Sequence, residues 1–364
     1  MVARVAGNVL TVLIPAHNEE DALGPTLRAL QRQTAAPERV IVVADNCDDG
    51  TASVAEDLGA EVMCTVGNTH RKAGALNQAL ARLEAAPPRF VMVVDADTRL
   101  SPRFIETALR EVARDPRMGA VSGLFVGEKP SGLLQQFQAN EYIRYRTQIE
   151  STHRVSVVTG TASVFRYTAL RDVAAHRGSD IPGTAGDVYD RSAITEDSEL
   201  TLALKSCGWM MTAPAACTCT TELMPTWGDL HRQRVRWYKG MLDNLGEYGV
   251  TRVTLRYIGQ QLMIGTGIIT IALLLALTGL AVASGTFTVR PFWLVIGCIF
   301  VVERLVTVWP VGAAGRWVAA AVLPEIGYDI ALQTAFVHAA ILSVLHRDTA
   351  WNHVTPAPAA VSSA

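Results

Sequence analysis

The chain has 364 residues, 49% of them hydrophobic, and a formal net charge of −2. A near-neutral total without a basic stripe gives no electrostatic footprint for nucleic acid, so no such partner is expected. The six cysteines, Cys47, Cys64, Cys207, Cys217, Cys219 and Cys298, show no CxxC spacing, which excludes a metal finger and leaves reduced, cytoplasmic thiols as the simplest reading.

Residues 1 to about 250 intersperse charges among short apolar runs and read as an α/β domain. "NVLTVLIP" is too short for a secretory h-region and has no small-residue cleavage site behind it, so no targeting segment is expected there. The runs "VLTVLIP", "RVIVVAD", "AEVMCTV" and "FVMVVDA" are rich in valine and isoleucine, and helical patterns lie between them at about 20–33, 52–58 and 72–83. Continuous apolar strands separated by helices predict a parallel sheet covered on both faces. Ligands of such sheets bind beyond the carboxyl ends of the strands. There the sequence reads "AHNEE", "DNCDDGT" and "DADTRL", polar and mostly acidic.

"MGAVSGLFV" and "VSVVTGTASVFR" read as strands bracketing a long helix from about 132 to 150. The Gly-, Asp- and Ser-rich segment "HRGSDIPGTAGDVYDRSA", 176–193, reads as a mobile loop and an active-site flap. "WMMTAPAACTCTTELM" suggests one more strand, with Cys217 and Cys219 packing on one face of it. "TWGDLHRQRVRWYKGMLDNL" then predicts an amphipathic helix.

From Leu262 to Ala283 there are twenty-two residues without a charge, enough for a membrane span of about 20 residues. Two further apolar stretches, 292–312 and 317–345, carry Glu303, Arg304, Glu325 and Asp329. Charges at membrane depth mark pairing or function, unless these stretches lie at the interface. Arg252 and Arg256 precede the first span, as the positive-inside rule expects of a cytoplasmic domain. The expected division is therefore 1–250 soluble, 251–346 membrane with about three transmembrane or interfacial helices, and 347–364 a tail.

Several residues have the right type and place for chemistry. Asp95 and Asp97 close a strand, and carboxylates at i and i+2 suit a hard divalent cation, although a solvated acidic turn has the same composition. Asp45 closes another strand, where it fits either a base or ribose contact or plain turn chemistry. Lys72 opens a helix, a place that welcomes phosphate. Behind Thr195, Glu196 and Asp197 either complement a helix N-terminus or supply a general base. Gln233, Arg236 and Trp237 share a helix face able to fork onto phosphate and stack on a sugar. His231 is a metal ligand or a surface histidine.

In order, "IPAHNEE", "DNCDDGT", "KAGALN", "DAD", "TED" and "QRVRW" resemble the motif series of family 2 glycosyltransferases, in the membrane-bound branch of cellulose, chitin and hyaluronan synthases. The likeness covers about residues 8–245. It implies an α/β GT-A (Rossmann-like) fold followed by C-terminal transmembrane helices, and inverting transfer from a nucleotide sugar, most often a UDP-sugar, with Mn²⁺ or Mg²⁺. By motif, Pro15, Ala16, His17, Glu19, Asp45, Lys72, Asp95 and Asp97 would bind the nucleotide sugar, with Asp97 and Asp95 on the metal. Asp197 would be the base, supported by Glu196, and Gln233, Arg234, Arg236 and Trp237 would hold the diphosphate and acceptor. His17 stands where members often have tyrosine. The expected partners are a glycan acceptor and membrane lipids, and the expected place is the cell membrane, multi-pass, with the catalytic domain facing the cytoplasm. With few spans, transfer of a single sugar to a polyprenyl phosphate is the alternative. A non-catalytic nucleotide-sugar-binding scaffold is a third reading.

Overall fold

The computed structural model describes residues 9–152 and 154–347. The expected C-terminal tail lies outside the described residues beyond Arg347. The first half alternates as expected: β1 (Leu10–Ala16), α1 (Glu20–Gln31), β2 (Arg39–Ala44), α2 (Thr51–Asp57), β3 (Glu61–Cys64), α3 (Arg71–Leu83) and β4 (Phe90–Val94). There follow β5 (Arg99–Leu100), α4 (Phe104–Arg114), β6 (Met118–Ser122), β7 (Leu124–Gly127), α5 (Leu133–Thr152), β8 (Ala162–Arg166) and α6 (Tyr167–His176). Next come α7 (Glu196–Ser206), β9 (Met210–Thr212), β10 (Thr218–Thr221) and α8 (Trp227–Tyr248).

Seven strands form one sheet in the order β3-β2-β1-β4-β8-β6-β9. It is parallel except at β8, which runs antiparallel to both β4 and β6. Successive side chains of a strand point to opposite faces. Leu13 packs with Leu76 and Leu80 of α3, while Val12 and Ile14 pack with Leu23 and Leu27 of α1 and Phe104 of α4. In β1, Pro15 has no N–H to give to a ladder, and it sits where pairing with β4 has already ended at Leu13↔Val93.

Two segments that read as single strands each divide. "MGAVSGLFV" breaks at Gly123, after which β7 joins a second sheet, β5-β10-β7. A Cβ on Gly123 would lie 2.7 Å from the Ala162 carbonyl oxygen, so glycine permits the close crossing where the chain changes sheets. The run from Trp209 to Met224 likewise divides into β9 in the large sheet and β10 in the small one. Cys217 and Cys219 pack side by side in the core as expected, and burial pushes both thiols up to about 12.

Two compact units emerge, and they do not follow the linear boundary near residue 250. Of the described residues, the first comprises 9–128, 145–152, 154–222 and 246–254; the second comprises 129–144, 223–245 and 255–347. The second contains α9 (Thr254–Ala283) beyond its first residue, α10 (Pro291–Thr307), a 3-10 turn (Trp309–Val311), α11 (Ala313–Ala320) and α12 (Val322–Val344). By length and composition α9 and α12 can cross a membrane. The apolar stretch 317–345 is broken at Ala321. Pro324 lacks an N–H and would clash with the carbonyl four residues back, so it is accommodated only in the first turn of a new helix.

Of the charges named in the apolar stretches, Arg304, Glu325 and Asp329 are paired. Glu325, 2% exposed, accepts two bonds of 3.0 Å from Arg144 and a third from Arg304, which also reaches Asp329 at 2.5 Å.

Candidate active site

The large sheet's register sets Ala16 beside Ala44, so the segments after β1 and β2 leave the sheet together. Asp45 is buried there, and its Oδ1 accepts from Thr65 Oγ1 (2.8 Å), Asn68 Nδ2 (2.8 Å) and Asn46 Nδ2 (3.1 Å). Among the described residues none donates to Oδ2, which is left to accept from a ligand N–H or hydroxyl. His17 Nδ1 lies 2.5 Å from the Asp45 carbonyl oxygen and so carries its proton toward it. Asn18, Asn46 and Arg71 all take left-handed backbone conformations, with φ of 57°, 50° and 52°. Three such non-glycine residues around one cleft mark the kind of local strain that functional sites store.

Beyond β4, the Asp95–Asp97 turn is held from both sides. Asp95 N donates to Thr161 O (2.9 Å), and the buried Thr26 hydroxyl donates to Ala96 O (2.7 Å). Burial, with the charges of Asp95 and Glu222, pushes the Asp97 carboxyl up to about 7. Glu19 is likewise pushed up to about 7, by burial and by Asp97, Glu222 and Asp95. Glu222, at the end of β10, had no motif to announce it; only the small sheet brings it here. These acids do not close into a three-ligand cage. Two carboxylates completed by substrate phosphate oxygens is nonetheless the usual way a hard divalent ion is held, and the crowded negative charge fits one.

The opening of α7 meets this turn through Lys72. Its Nζ lies 2.6 Å from Asp95 Oδ1 and 2.8 Å from Glu196 Oε1. Burial opposes the lysine charge, but the two carboxylates outweigh it and hold its pKa well above the ordinary value. Asp197, next to Glu196, accepts from Gly160 N (3.1 Å) and Ser198 N (2.7 Å). Burial and the Glu196 charge push it up to about 6, against the opposing pull of Lys72 and the two N–H groups. Lys72, Glu196 and Asp197 therefore line one cleft with the buried Tyr189, and the Lys72 ion pair brings Asp95 to it. Thr195 occupies the N-cap position, but its hydroxyl bonds the Ser198 hydroxyl (2.6 Å) and caps no backbone N–H.

The segment 176–193, which its composition reads as a flap, is anchored at both ends by distant partners. Arg177 is fully buried and forks onto Glu199 at 2.5 and 2.7 Å, while also donating to the carbonyls of Pro182 and Val188. Asn77 of "KAGALN" accepts from the N–H groups of Val188 and Tyr189 and donates to Tyr189 O. The partners that pin the loop come from α3 and α7, out of reach of a local reading.

"QRVRW" lies on α8, within the second unit. Arg234, expected at the diphosphate, is 1% exposed. Its Nη2 donates to Glu141 Oε2 (2.8 Å), Nη1 to Gln233 Oε1 (2.9 Å), and its guanidinium stacks 4.3 Å over Trp237. It is an internal tie of that unit, with both Nη atoms engaged inside it and Nε buried without a partner. Gln233, Arg236 and Trp237 are half-buried. His231 sits 3.1 Å from His338 with the rings stacked, in the second unit and away from any acidic cluster described there, so the metal role expected of it is not supported.

A synthase of poly-β-1,6-N-acetyl-D-glucosamine from Staphylococcus aureus (strain MSSA476) is 25% identical over 238 residues, 64% of this chain and 54% of the relative. Its counterpart in Staphylococcus epidermidis is 24% identical over 238 residues. The chain spans about half the length of these curated relatives. Among solved structures, a mannosyltransferase from Pyrobaculum calidifontis, in complex with GDP-Man and Mn²⁺, superposes with a TM-score of 0.61 at 17% identity, covering 94% of this chain and 89% of its own, which shows a shared fold. The family model described as "Glycosyltransferase like family 2" matches residues 7–240, nearly two-thirds of the sequence. With a GT-A sheet, an acidic turn closing its fourth strand and a carboxylate pair tied to that turn by one lysine, the chain belongs to the family 2 glycosyltransferases.

Proposed function

We propose that the chain moves a sugar from a nucleotide diphosphate sugar, with UDP the favoured nucleotide, to a hydroxyl of a glycan acceptor, inverting the anomeric centre. The observation that carries this reading is Lys72, whose Nζ joins Asp95 to Glu196 within 2.8 Å and so sets Asp197 beside the acidic turn. Mn²⁺ in one structural neighbour bound to a nucleotide sugar supports a divalent cation here.

Asp45 binds the nucleotide through its open Oδ2, with His17 alongside. Asp97 and Asp95 would hold the cation, which when bound neutralises the diphosphate as a leaving group. Lys72 adds a second positive charge at the same place. Asp197 takes the proton of the acceptor hydroxyl while that oxygen bonds to the anomeric carbon; the electron pair of the old bond leaves on the diphosphate. Glu196, held by Lys72, fixes the start of α7 and with it the aim of Asp197. For Gln233, Arg236 and Trp237 the motif alone supports a role at the diphosphate or acceptor. The span-length helices α9 and α12 support a place in the cell membrane, and Arg252 and Arg256 ahead of the first span favour the cytoplasmic side for the first unit.

The test is a donor screen on purified protein with Mn²⁺ or Mg²⁺ and membrane extract. Asp197→Asn should cut transfer at least ~100-fold, the usual worth of a general base, while nucleotide binding survives. Undiminished transfer in that variant removes the assignment. A lengthening ladder of products supports the glycan acceptor; a single sugar on a lipid replaces it with the polyprenyl-phosphate alternative.

A further inference from the structure

Away from the cleft, the carboxyl-terminal ends of α6 and α7 meet. Asp172 and His176 stand one turn apart on α6, and Cys207 caps α7. The turn that ends α7 is specific: Gly208 takes φ of 82°, and Trp209 N donates to Leu204 O (2.9 Å). That closure is a glycine C-cap of the Schellman type, and it fixes where Cys207 and Trp209 lie. Trp209 Nε1 in turn donates to Asp172 Oδ2 at 2.8 Å.

One oxygen of Asp172, one ring nitrogen of His176 and the sulfur of Cys207 all lie within 4.8 Å of one another, the one such group of three found among the described residues. Ligands around a tetrahedral zinc sit roughly 3.5 Å apart, so a shift of about 1 Å closes the set. His176 Nδ1 lies 2.8 Å from the Asp172 carbonyl oxygen, which places the proton on Nδ1 and leaves the lone pair on Nε2. Nε2 is 3.7 Å from Asp180 Oδ2, which stands just outside the group of three and could swing in as a fourth ligand. The hydrogen bonds from Trp209 to the carboxylate and from the imidazole to a backbone carbonyl are the outer supports that metal ligands normally have. Two helix carboxyl termini, each carrying partial negative charge, converge on the same point and favour a cation there. The nearby Arg177 charge is already matched by Glu199.

We propose that Asp172, His176 and Cys207, completed by Asp180, form a site for a thiophilic divalent cation of the zinc class, separate from the hard-cation site at Asp95 and Asp97. The mixed sulfur, nitrogen and oxygen donors select zinc or cobalt over magnesium and manganese. As the ion binds, the Cys207 thiol gives its proton to solvent and the sulfur bonds as thiolate. The ion ties the end of α6 to the end of α7, immediately before Arg177, and so stiffens the loop that leads to Glu196.

The full-length protein, stripped with chelator, is titrated with Zn²⁺ against a chromophoric competitor, and separately with Co²⁺ followed by absorption. Expected are one equivalent of Zn²⁺ at micromolar affinity or tighter, and a near-ultraviolet thiolate-to-cobalt band. Cys207→Ser should abolish that band, and His176→Ala should weaken Zn²⁺ binding at least tenfold. Zn²⁺ should also raise the melting temperature of the unaltered protein and not that of Cys207→Ser, a comparison that reads binding whether or not transfer is seen. No retained Zn²⁺, or a cobalt spectrum unchanged by Cys207→Ser, overturns the site.

Discussion

Asp197 gives the most direct reading at the scale of single residues. A base works only when deprotonated, and this carboxyl is pushed up to about 6 by burial and Glu196. Transfer should therefore be full above about pH 7 and fall roughly tenfold per unit below pH 6, as the proton-free fraction falls. A kcat profile flat down to about pH 5 counts against the assignment. Lys72 opposes the rise, so Lys72→Met should move the acid limb to higher pH; an unmoved limb would mean that lysine and base do not interact. Short motifs made most of this cleft legible, because Asp45, Asp95, Lys72 and Asp197 each stand at a strand end or helix start. Glu222 and Asn68 were not legible. Glu222 acts on Asp97 from more than a hundred positions away, and Asn68 buttresses Asp45 from a loop whose composition marks it only as a turn.

Gly123 is the decisive residue at the scale of elements. Gly123→Ala puts a methyl against a backbone carbonyl that cannot swing aside, and overpacking of this kind costs about 1–3 kcal/mol. Thermal unfolding should show the loss, whereas Gly132→Ala, with open space around it, should leave the midpoint nearly unchanged. Equal midpoints for the two variants would show that the strand crossing tolerates a side chain. Strands β1, β2 and β4 were plain from their valine and isoleucine runs, since a strand buried on both faces needs little else to declare it. The sheet changes after β6 and β9 were hidden, because an apolar run states that a segment is extended and leaves its neighbours open. The same limit explains the loop at 176–193. Its Gly, Asp and Ser content is real, but Arg177 and Asn77 spend their hydrogen bonds holding it.

Over the whole molecule, the acidic cleft and the apolar helices belong to different compact units, and each has an internal tie of its own. The first is locked by Arg177 and Glu199, the second by Arg234 and Glu141 and by the cluster around Glu325. That cluster bears on how the chain is made. Alone, α12 would bring Glu325, in its first turn, and Asp329 toward lipid without a partner, where ionised carboxylates are costly. Arg304, the cation that reaches both carboxylates, is carried by α10, and Arg144, the second partner of Glu325, by α5; both are translated before α12. In a translocon assay, α12 by itself should insert poorly, and a segment spanning α10 to α12 should insert well unless it carries Arg304→Leu. Efficient solo insertion of α12 would contradict this order. On that expectation α12 depends, as the chain is made, on an element that precedes it, and the ion-pair cluster sets the order in which the two can be accommodated.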